Sequence, residues 1–343
     1  MRDQWHWKFV YASSMPYARK SLVSLQDTPY YHLVGRCVRR SWLCGTDQYS
    51  GKDYSHRKQW VLDRLSQLSK VFTIDVCAYA IMSNHYHLVV HIDQRRARAL
   101  ATAEIVERWR QVFGIPDVVE RWRSGEATSI EGELAERILG IWRARLSDVS
   151  WYMRCLNEHL ARRANAEDEC TGHFWEGRFK SQALLDDAGL LTAMAYVDLN
   201  PVRAGIAATP EESNFTSIQS RIAAASRQRS ATSQEATPLK LIAFKAEDSW
   251  PQLPFSLHSY LALVDWTGRR VSKDKAGYID ADAPPILSRL KIDRAAWDAT
   301  MQRSGNRFGR AMGPLDHLRL HARTLGQAWI RGLNHAAALY RSS

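Results

Sequence analysis

The sequence has few cysteines and none in a CxxC pair, since its five Cys residues are scattered through 343 positions. This spacing disfavours both a disulfide framework and a thiolate zinc site, and it favours a reducing compartment. The first residues contain no uninterrupted apolar segment of the secretory type, and no apolar run is long enough to span a bilayer. We therefore expect a cytoplasmic protein that does not bind membranes.

Motifs for several common chemistries are also absent. The sequence has no GxxxxGK phosphate-binding loop, which disfavours nucleotide hydrolysis. It also lacks GxSxG and HExxH, the signatures of many serine hydrolases and zinc peptidases. No cluster of Asp and Glu residues suggests a two-metal nuclease. None of these functions is predicted.

Positive charge and tryptophan are plentiful. There are 47 Lys and Arg residues against 36 Asp and Glu residues, a net charge of +11 at pH 7, and 13 Trp residues. Basic side chains bind phosphates and release condensed counterions, and indole rings offer flat faces to unpaired bases. This composition fits a nucleic-acid partner, although charge alone fits a basic surface without a partner equally well.

The apolar pattern predicts both strands and helices in the first half of the chain. Residues 30–40 are typical of a strand, and a helix capped by Ser55 follows. Residues 72–92 are the most strand-like stretch, and Ser83-Asn84 in their middle predict the turn of a hairpin. Three or four helices are then expected within residues 98–165.

The second half of the chain alternates between structured and polar segments. GHFWEGRFK (172–180) is typical of a basic aromatic loop or a short strand. A helix is predicted from a cap at Asp187 to Asn200, where Pro201 ends it. Residues 221–238 are rich in Ser, Ala, Thr and Arg, a composition typical of a linker.

A smaller helical unit with an Arg-rich tail is expected beyond this linker. One of its helices is predicted to stop at Gly268, and another to be capped by Asp293. Basic residues outnumber acidic ones in the tail, so the unit is a candidate for DNA binding.

Two histidines in the predicted hairpin are candidates for a metal site. His85 and His87 flank Tyr86, so the alternation of a strand puts both imidazoles on one face, about 6–7 Å apart along the strand. Two converging imidazoles can bind one divalent ion. The HxH pattern alone is more typical of ordinary surface or hydrogen-bonded histidines than of a metal site. His91 shares their face but lies too far along the strand to join them.

The predicted helix before Pro201 carries a second pair of candidates. Tyr196 and Asn200 are four residues apart and therefore lie one turn apart on the same stripe of the helix. The other residues of this stripe, Gly189 and Ala193, are small and would allow close approach of a strand or a DNA backbone. The side chains expected to face the core are Leu190, Leu191, Met194 and Val197. A purely structural role, with the tyrosine at the core edge and the asparagine capping the helix, is the alternative.

Taken in order, the segments AYAIMSNHYHLVV, GHFWEGRFK and AYVDLNPVRAG resemble the REP-associated tyrosine transposases, which belong to the HUH single-strand transposases with one catalytic tyrosine. The resemblance covers roughly residues 20–210. It implies an α+β fold in which a ferredoxin-like antiparallel sheet carries the histidine pair, with a helical insertion at about 95–165. A linker at 211–240 and a small C-terminal helical domain at 241–343 would follow.

The resemblance also implies roles for individual residues. His85 and His87 match the metal-binding pair, Tyr196 matches the nucleophile, and Asn200 matches the position of a third ligand. The implied metal is Mg²⁺ or Mn²⁺, and the implied substrate is single-stranded DNA, particularly a hairpin. Cleavage would then give a 5′-phosphotyrosine link and a free 3′-hydroxyl, with a monomer and a dimer both compatible. A non-catalytic regulator that binds nucleic acid and a zinc-dependent hydrolase are the alternatives.

The sequence departs from the family pattern at Tyr86, where an aliphatic residue is usual. We expect its side chain on the opposite face of the sheet, and it is the rival candidate for the nucleophile. The insertion is longer than in compact members, and residues beyond the linker are additional. The residues expected to hold DNA are Arg178, Lys180, Arg203 and the aromatic Trp175. A solvated basic rim is the alternative, and the interleaved aromatic residues favour binding.

Overall fold

The structure is a computed structural model. It describes residues 22–38, 43–47, 51–229, 239–245, 251–271, 284–302, 309–328, 330–331 and 333–340. The strands are β1 Tyr30–Arg36, β2 Ile74–Ile81, β3 His85–Ile92, β4 Lys180–Leu184, β5 Ala243–Phe244, β6 Gln252–Leu253 and β7 Ala311–Met312. The first seven helices are α1 Arg57–Val71, α2 Gln94–Ala99, α3 Thr102–Arg110, α4 Asp117–Ser124, α5 Ser129–Arg145, α6 Val149–Glu167 and α7 Asp187–Asp198. The others are α8 Asn200–Arg203, α9 Ser217–Arg229, α10 Leu257–Val271, α11 Pro285–Arg289, α12 Arg294–Gln302, α13 Leu315–Thr324 and α14 Leu333–Leu339.

The main sheet has five strands in the order β2-β3-β1-β4-β7. Neighbours among the first four strands are antiparallel, and β7 joins the edge parallel to β4. The predicted hairpin is confirmed: β2 and β3 pair, and the backbone N–H of Met82 donates to the carbonyl of His85 at 2.8 Å across the turn. The mixed α+β composition predicted from the sequence is confirmed as well.

Helices cover both faces of this sheet. Helices α1 and α6 pack together on one face, where Tyr86 of β3 contacts Asn157 of α6, and α7 packs against β2, β3 and β4 on the other. Helix α6 therefore belongs to the layer beneath the sheet, whereas it was predicted as part of the insertion. In the described part of the chain, no helix is long and apolar enough to cross a membrane.

Helix α7 is buried on all sides, from Ala188 to Asp198. The side chains predicted to face the core are buried, but the second stripe, with Gly189, Ala193, Tyr196 and Asn200, is buried as well, because residues of the C-terminal part cover the helix face turned away from the sheet. The small residues do allow close approach: a Cβ at Gly189 would lie 3.0 Å from the carbonyl oxygen of Met312 in β7. The helix begins one residue earlier than predicted, since the Asp186 side chain accepts from the backbone N–H of Gly189.

Two other helix boundaries differ from the sequence prediction for local reasons. Ser55 does not cap α1, because its hydroxyl and backbone N–H both donate to Asp53 instead. Gly268 does not end α10, which continues to Val271, and it packs against Leu199 and Pro210. The cap at Asp293 is confirmed by its bond from the N–H of Ala296 at 2.9 Å.

The segment predicted as a linker contains α9, which packs against β2. Thr216 forms a bridge with Ala80, and Ser217 and Ile218 are buried. The low content of bulky apolar residues therefore did not predict that this segment packs on the sheet. Residues 230–238 of the predicted linker lie outside the described residues. The C-terminal part also differs from a separate unit, because β7 extends the main sheet and the N–H of Ile242 donates to the carbonyl of Val76.

Gly35 gives a test of the packing that holds β1 and β3 in register. It pairs with Tyr86, and a Cβ at Gly35 would lie 2.5 Å from the ring of Tyr86. Gly35→Ala is expected to lower the free energy of unfolding by about 1–3 kcal/mol, the usual cost of overpacking a core. Urea denaturation measures this change.

Gly140 provides the matched control for that substitution. It lies within α5, and an added Cβ would meet no atom of the described residues within 4 Å. Gly140→Ala is expected to raise the free energy of unfolding by up to about 1 kcal/mol, because glycine disfavours helices. Equal effects of the two substitutions would contradict the packing described for Gly35.

Candidate active site

His85 and His87 lie on the face of β3 that packs against α7, with ring centroids 5.0 Å apart. Their cross-strand partners on β1 are Arg36 and Val34, and Ala80 of β2 pairs with His87 from the other side. The small Ala80 leaves room for α7 above the histidines. The prediction that both imidazoles share one face is confirmed.

Tyr86 points to the opposite face, as expected. Its hydroxyl donates to the side-chain oxygen of Asn157 in α6 at 2.5 Å, and its ring meets that of Trp175 edge-on at 5.7 Å. The hydroxyl is fully buried. Tyr86 is therefore separated from the two histidines by the sheet itself.

Tyr196 lies above the histidines on the last turn of α7. The centroid of its ring is 6.0 Å from that of His87 and 6.4 Å from that of His32. The guanidinium of Arg203 lies over this ring, 4.0 Å from its centroid, and its Nε donates to the carbonyl of Met301 at 2.6 Å. The structure thus brings together three predicted site residues from β3, α7 and α8.

His32 is a site residue that the sequence analysis missed. It lies on β1, and its Nε2 is 2.9 Å from Nδ1 of His87, while its Nδ1 is 3.2 Å from Oε1 of Gln182 on β4. All three side chains are nearly or fully buried. The sequence offered one signal, because His32 lies in a predicted strand, on the same face as Val34. The strand register that brings His32 to His87 is not encoded locally.

Burial governs the charge of these imidazoles. It lowers the pKa of His85 to about 4, with a further contribution from the positive charge of Arg36. Burial also lowers the pKa of His32 to about 4, against the opposing effect of its bond to Gln182. For His87, burial and then the neighbouring His85 and His32 hold the pKa well below its usual value. The three rings are therefore neutral at pH 7.

A buried carboxylate fixes the end of α7. Asp198 accepts from the hydroxyl of Ser217, from the N–H of Ile218 at 2.9 Å and from the hydroxyl of Tyr260 at 2.5 Å. Burial raises its pKa to about 6 despite these bonds. The network joins α7 to α9 and α10 two residues after Tyr196, and it was not predicted because its partners are distant in sequence.

The remaining predicted residues differ in their distance from this cluster. Asn200 begins α8 one turn after Tyr196 and is mostly buried, and within the described residues no hydrogen bond joins its carboxamide to either histidine. Lys180 begins β4 and pairs with Val34, so it shares the sheet face of His87. Arg178 lies two residues earlier and is exposed.

The structure does not bring Trp175 to the cluster. Its indole N–H donates to the carbonyl of Asn157, and its ring packs on Tyr86 on the opposite face of the sheet. Trp175 also forms a bridge with Cys37, so it anchors the loop that precedes β4. Among the described residues, no three His, Cys, Asp or Glu side chains are arranged to hold a common metal ion.

Comparisons with known proteins give one match. No protein-family model matches the sequence, and no curated protein matches it. Among solved structures, the chain is similar to a REP-associated tyrosine transposase bound to a REP hairpin, with a TM-score of 0.35 and 11% identity. The alignment covers 63% of this chain and 93% of that one. A similarity this low does not establish a function, which has to be argued from the side chains of this chain.

Proposed function

We propose that the protein is a metal-dependent tyrosine transposase or endonuclease that cleaves and rejoins single-stranded DNA, with hairpins as its substrates. The observation that carries this proposal is the stacking of four groups on one face of the sheet. Neutral His85 and His87 lie side by side, the phenol of Tyr196 lies above them, and the guanidinium of Arg203 covers that phenol. In this proposal the first four strands form a ferredoxin-like sheet, whose order and directions they share.

The two histidines fit a divalent ion such as Mg²⁺ or Mn²⁺. Nδ1 of His85 is 2.6 Å from the side-chain oxygen of Asn84, an acceptor, so Nδ1 carries the proton and Nε2 has the lone pair. Two imidazoles that share an ion at about 2.1 Å have ring centres roughly 4.5–5 Å apart, and the observed separation is 5.0 Å. Asn200 is the proposed third ligand. The ion would polarise the scissile phosphate and stabilise its developing charge.

Tyr196 is the proposed nucleophile. Its oxygen would form a bond to the phosphorus, and the bond from phosphorus to the 3′-oxygen would break, leaving a 5′-phosphotyrosine link and a free 3′-hydroxyl. The link conserves the energy of the phosphodiester, so the 3′-hydroxyl of another strand can attack it without a nucleotide cofactor. The absence of a GxxxxGK loop from the sequence fits this chemistry.

Basic residues around the cluster are suited to hold the DNA backbone. Arg36 is opposite His85 in the register of β1, Lys180 shares the face of His87, and Arg203 lies on Tyr196. Cations at these positions attract a phosphate toward the nucleophile and stabilise charge in the transition state. Arg178, close to Lys180, would extend this basic surface along the strand.

A non-catalytic regulator that binds nucleic acid is the second candidate. The observation that favours it is the burial of the cluster, since Tyr196 and His87 are each only 4% exposed. In the transposase, Arg203 has to move off the phenol when a phosphate enters. In the regulator, the same contacts would serve only to hold α7 on the sheet.

Covalent capture separates these two functions. Labelled DNA hairpins incubated with the protein and Mn²⁺ are expected to give an adduct that survives a denaturing gel. No adduct is expected to form when EDTA is present from the start. His87→Ala is expected to abolish the adduct because it removes one ligand. His91→Ala is the matched control, since His91 shares the strand face but contacts Asp75. DNA binding without any adduct would favour the regulator.

A further inference from the structure

A chain of hydrogen bonds runs from the C-terminal part of the protein to His87. Nε2 of Gln182 donates to the carbonyl of Gly309 at 3.0 Å. Oε1 of Gln182 lies 3.2 Å from Nδ1 of His32, and Nε2 of His32 lies 2.9 Å from Nδ1 of His87. The side chains come from three neighbouring strands, β4, β1 and β3.

The chemistry of each group fixes the direction of every bond in this chain. The carbonyl of Gly309 can only accept, so it orients the amide of Gln182 with its nitrogen outward and its oxygen toward His32. That oxygen can only accept, so Nδ1 of His32 carries the proton of the neutral ring. Nε2 of His32 then has a lone pair and accepts from Nδ1–H of His87. Consequently Nε2 of His87 has no proton.

Burial makes this arrangement persistent. His32 is 1% exposed, Gln182 3% and His87 4%, so water is excluded from the two links between these side chains, whereas the link to Gly309 is partly buried. A buried polar group that loses its partner incurs a free-energy cost of about 1–3 kcal/mol. Reversing one imidazole would set two donors or two acceptors against each other, and this cost disfavours the reversal.

We propose that His32 and Gln182 are positioning residues that hold His87 as the Nδ1–H tautomer, with the lone pair of Nε2 aimed at the metal ion. The inference rests on the proposed function only for the identity of what that lone pair binds. Asn84 accepts from Nδ1–H of His85 in the same way, so in both proposed ligands Nδ1 donates a hydrogen bond and Nε2 is left for the ion. Metal-binding histidines commonly donate their other ring N–H in this way, which fixes the ring and raises its basicity.

The role of Gln182 also gives the C-terminal part of the chain a connection to the site. Gly309 immediately precedes Arg310, whose carbonyl accepts from the N–H of Ala183. Residues beside β7 therefore set the orientation of the Gln182 amide through the backbone. Two substitutions at Gln182 distinguish this role from simple packing, because glutamate keeps an acceptor facing His32 and methionine does not.

Nitrogen NMR of the full-length protein labelled in its histidine rings tests the tautomers without metal or DNA. In the wild type, Nδ1 of His32 and of His87 are expected to be protonated and both Nε2 atoms unprotonated. Gln182→Glu is expected to preserve this pattern, because a neutral carboxylic acid can donate to the carbonyl of Gly309 and accept from Nδ1 of His32. Gln182→Met removes the acceptor, so a substantial fraction of His32 and His87 is expected to move to the opposite tautomer.

Mn²⁺ binding to the same proteins, measured by calorimetry, gives the functional consequence. Gln182→Met and His32→Phe are expected to weaken Mn²⁺ binding by about 10–100-fold, as loss of such supporting groups usually does. Gln182→Glu is expected to bind Mn²⁺ at least as tightly as the wild type. Thermal melting of each variant verifies that it is folded.

A protonated Nε2 on His87 in the wild type, or unchanged tautomers in Gln182→Met, would overturn the inference. So would equal Mn²⁺ affinities for the glutamate and methionine variants. Failure to form a DNA adduct has no bearing on these measurements and counts only against the proposed function. The two claims can therefore fail separately.

Discussion

Tyr196→Phe is expected to abolish covalent attachment to DNA and strand cleavage while leaving the protein folded and able to bind single-stranded DNA. The change removes only the hydroxyl, and the aromatic contacts with His32, His87 and Arg203 remain. Loss of a covalent nucleophile typically lowers the rate by more than about a thousandfold. Cleavage of a labelled hairpin under single-turnover conditions measures this loss.

Two other buried tyrosines provide matched controls for this substitution. Tyr86→Phe and Tyr152→Phe each remove a hydroxyl on the opposite face of the sheet, and among the described residues the Tyr152 hydroxyl has no hydrogen-bond partner. Both variants are expected to cleave DNA at wild-type rates. An adduct that persists in Tyr196→Phe and disappears in Tyr86→Phe would assign the nucleophile to Tyr86 instead.

Truncation after residue 240 is expected to unfold the main sheet, rather than only weaken DNA binding as the sequence alone predicted. The missing residues cover α7, donate to Asp198 through Tyr260 and add β7 beside β4. Returning an apolar side chain to water costs roughly 1.5–3 kcal/mol, and a domain has only about 5–15 kcal/mol of net stability. Exposing a few such side chains is therefore sufficient to unfold the remaining protein. Thermal melting followed by circular dichroism measures the outcome.

The contribution of the C-terminal part to DNA binding can be measured without removing it. Arg323→Gln and Arg331→Gln change exposed side chains and are expected to preserve the fold. If both arginines contact phosphates, the slope of log affinity against log salt concentration for single strands falls by about 1.4.

A truncated protein that melts cooperatively at the wild-type temperature would show that the C-terminal packing contributes little stability.

Local periodicity predicted the parts of the site that lie within one element. Alternation along β3 was sufficient to put His85 and His87 on one face and Tyr86 on the other. That prediction succeeded because neighbouring positions in a strand have fixed relative directions. The four-residue spacing of Tyr196 and Asn200 predicted one continuous helix, whereas α7 ends at Asp198 and Asn200 begins α8.

Contacts between segments that are distant in sequence could not be predicted from local sequence patterns. His32 meets His87 and Gln182 only through the register of three strands, 55 and 150 residues apart in sequence. The complete burial of α7 depends on chain beyond residue 240. One signal was available, because a helix that is apolar on all sides is typically buried on all sides, and residues 188–197 are polar only at Thr192 and Tyr196.

Mass spectrometry of the trapped adduct tests the central claim most directly. The protein is incubated with a short DNA hairpin and Mn²⁺, denatured and digested with trypsin. The tryptic peptide 181–203 contains Tyr196 as its only tyrosine, whereas Tyr86 falls in a different peptide. We predict that the 5′-phosphate of the cleaved DNA is found on Tyr196. Attachment to the Tyr86 peptide, or binding of the hairpin with no attached nucleotide on any tyrosine, would contradict the account.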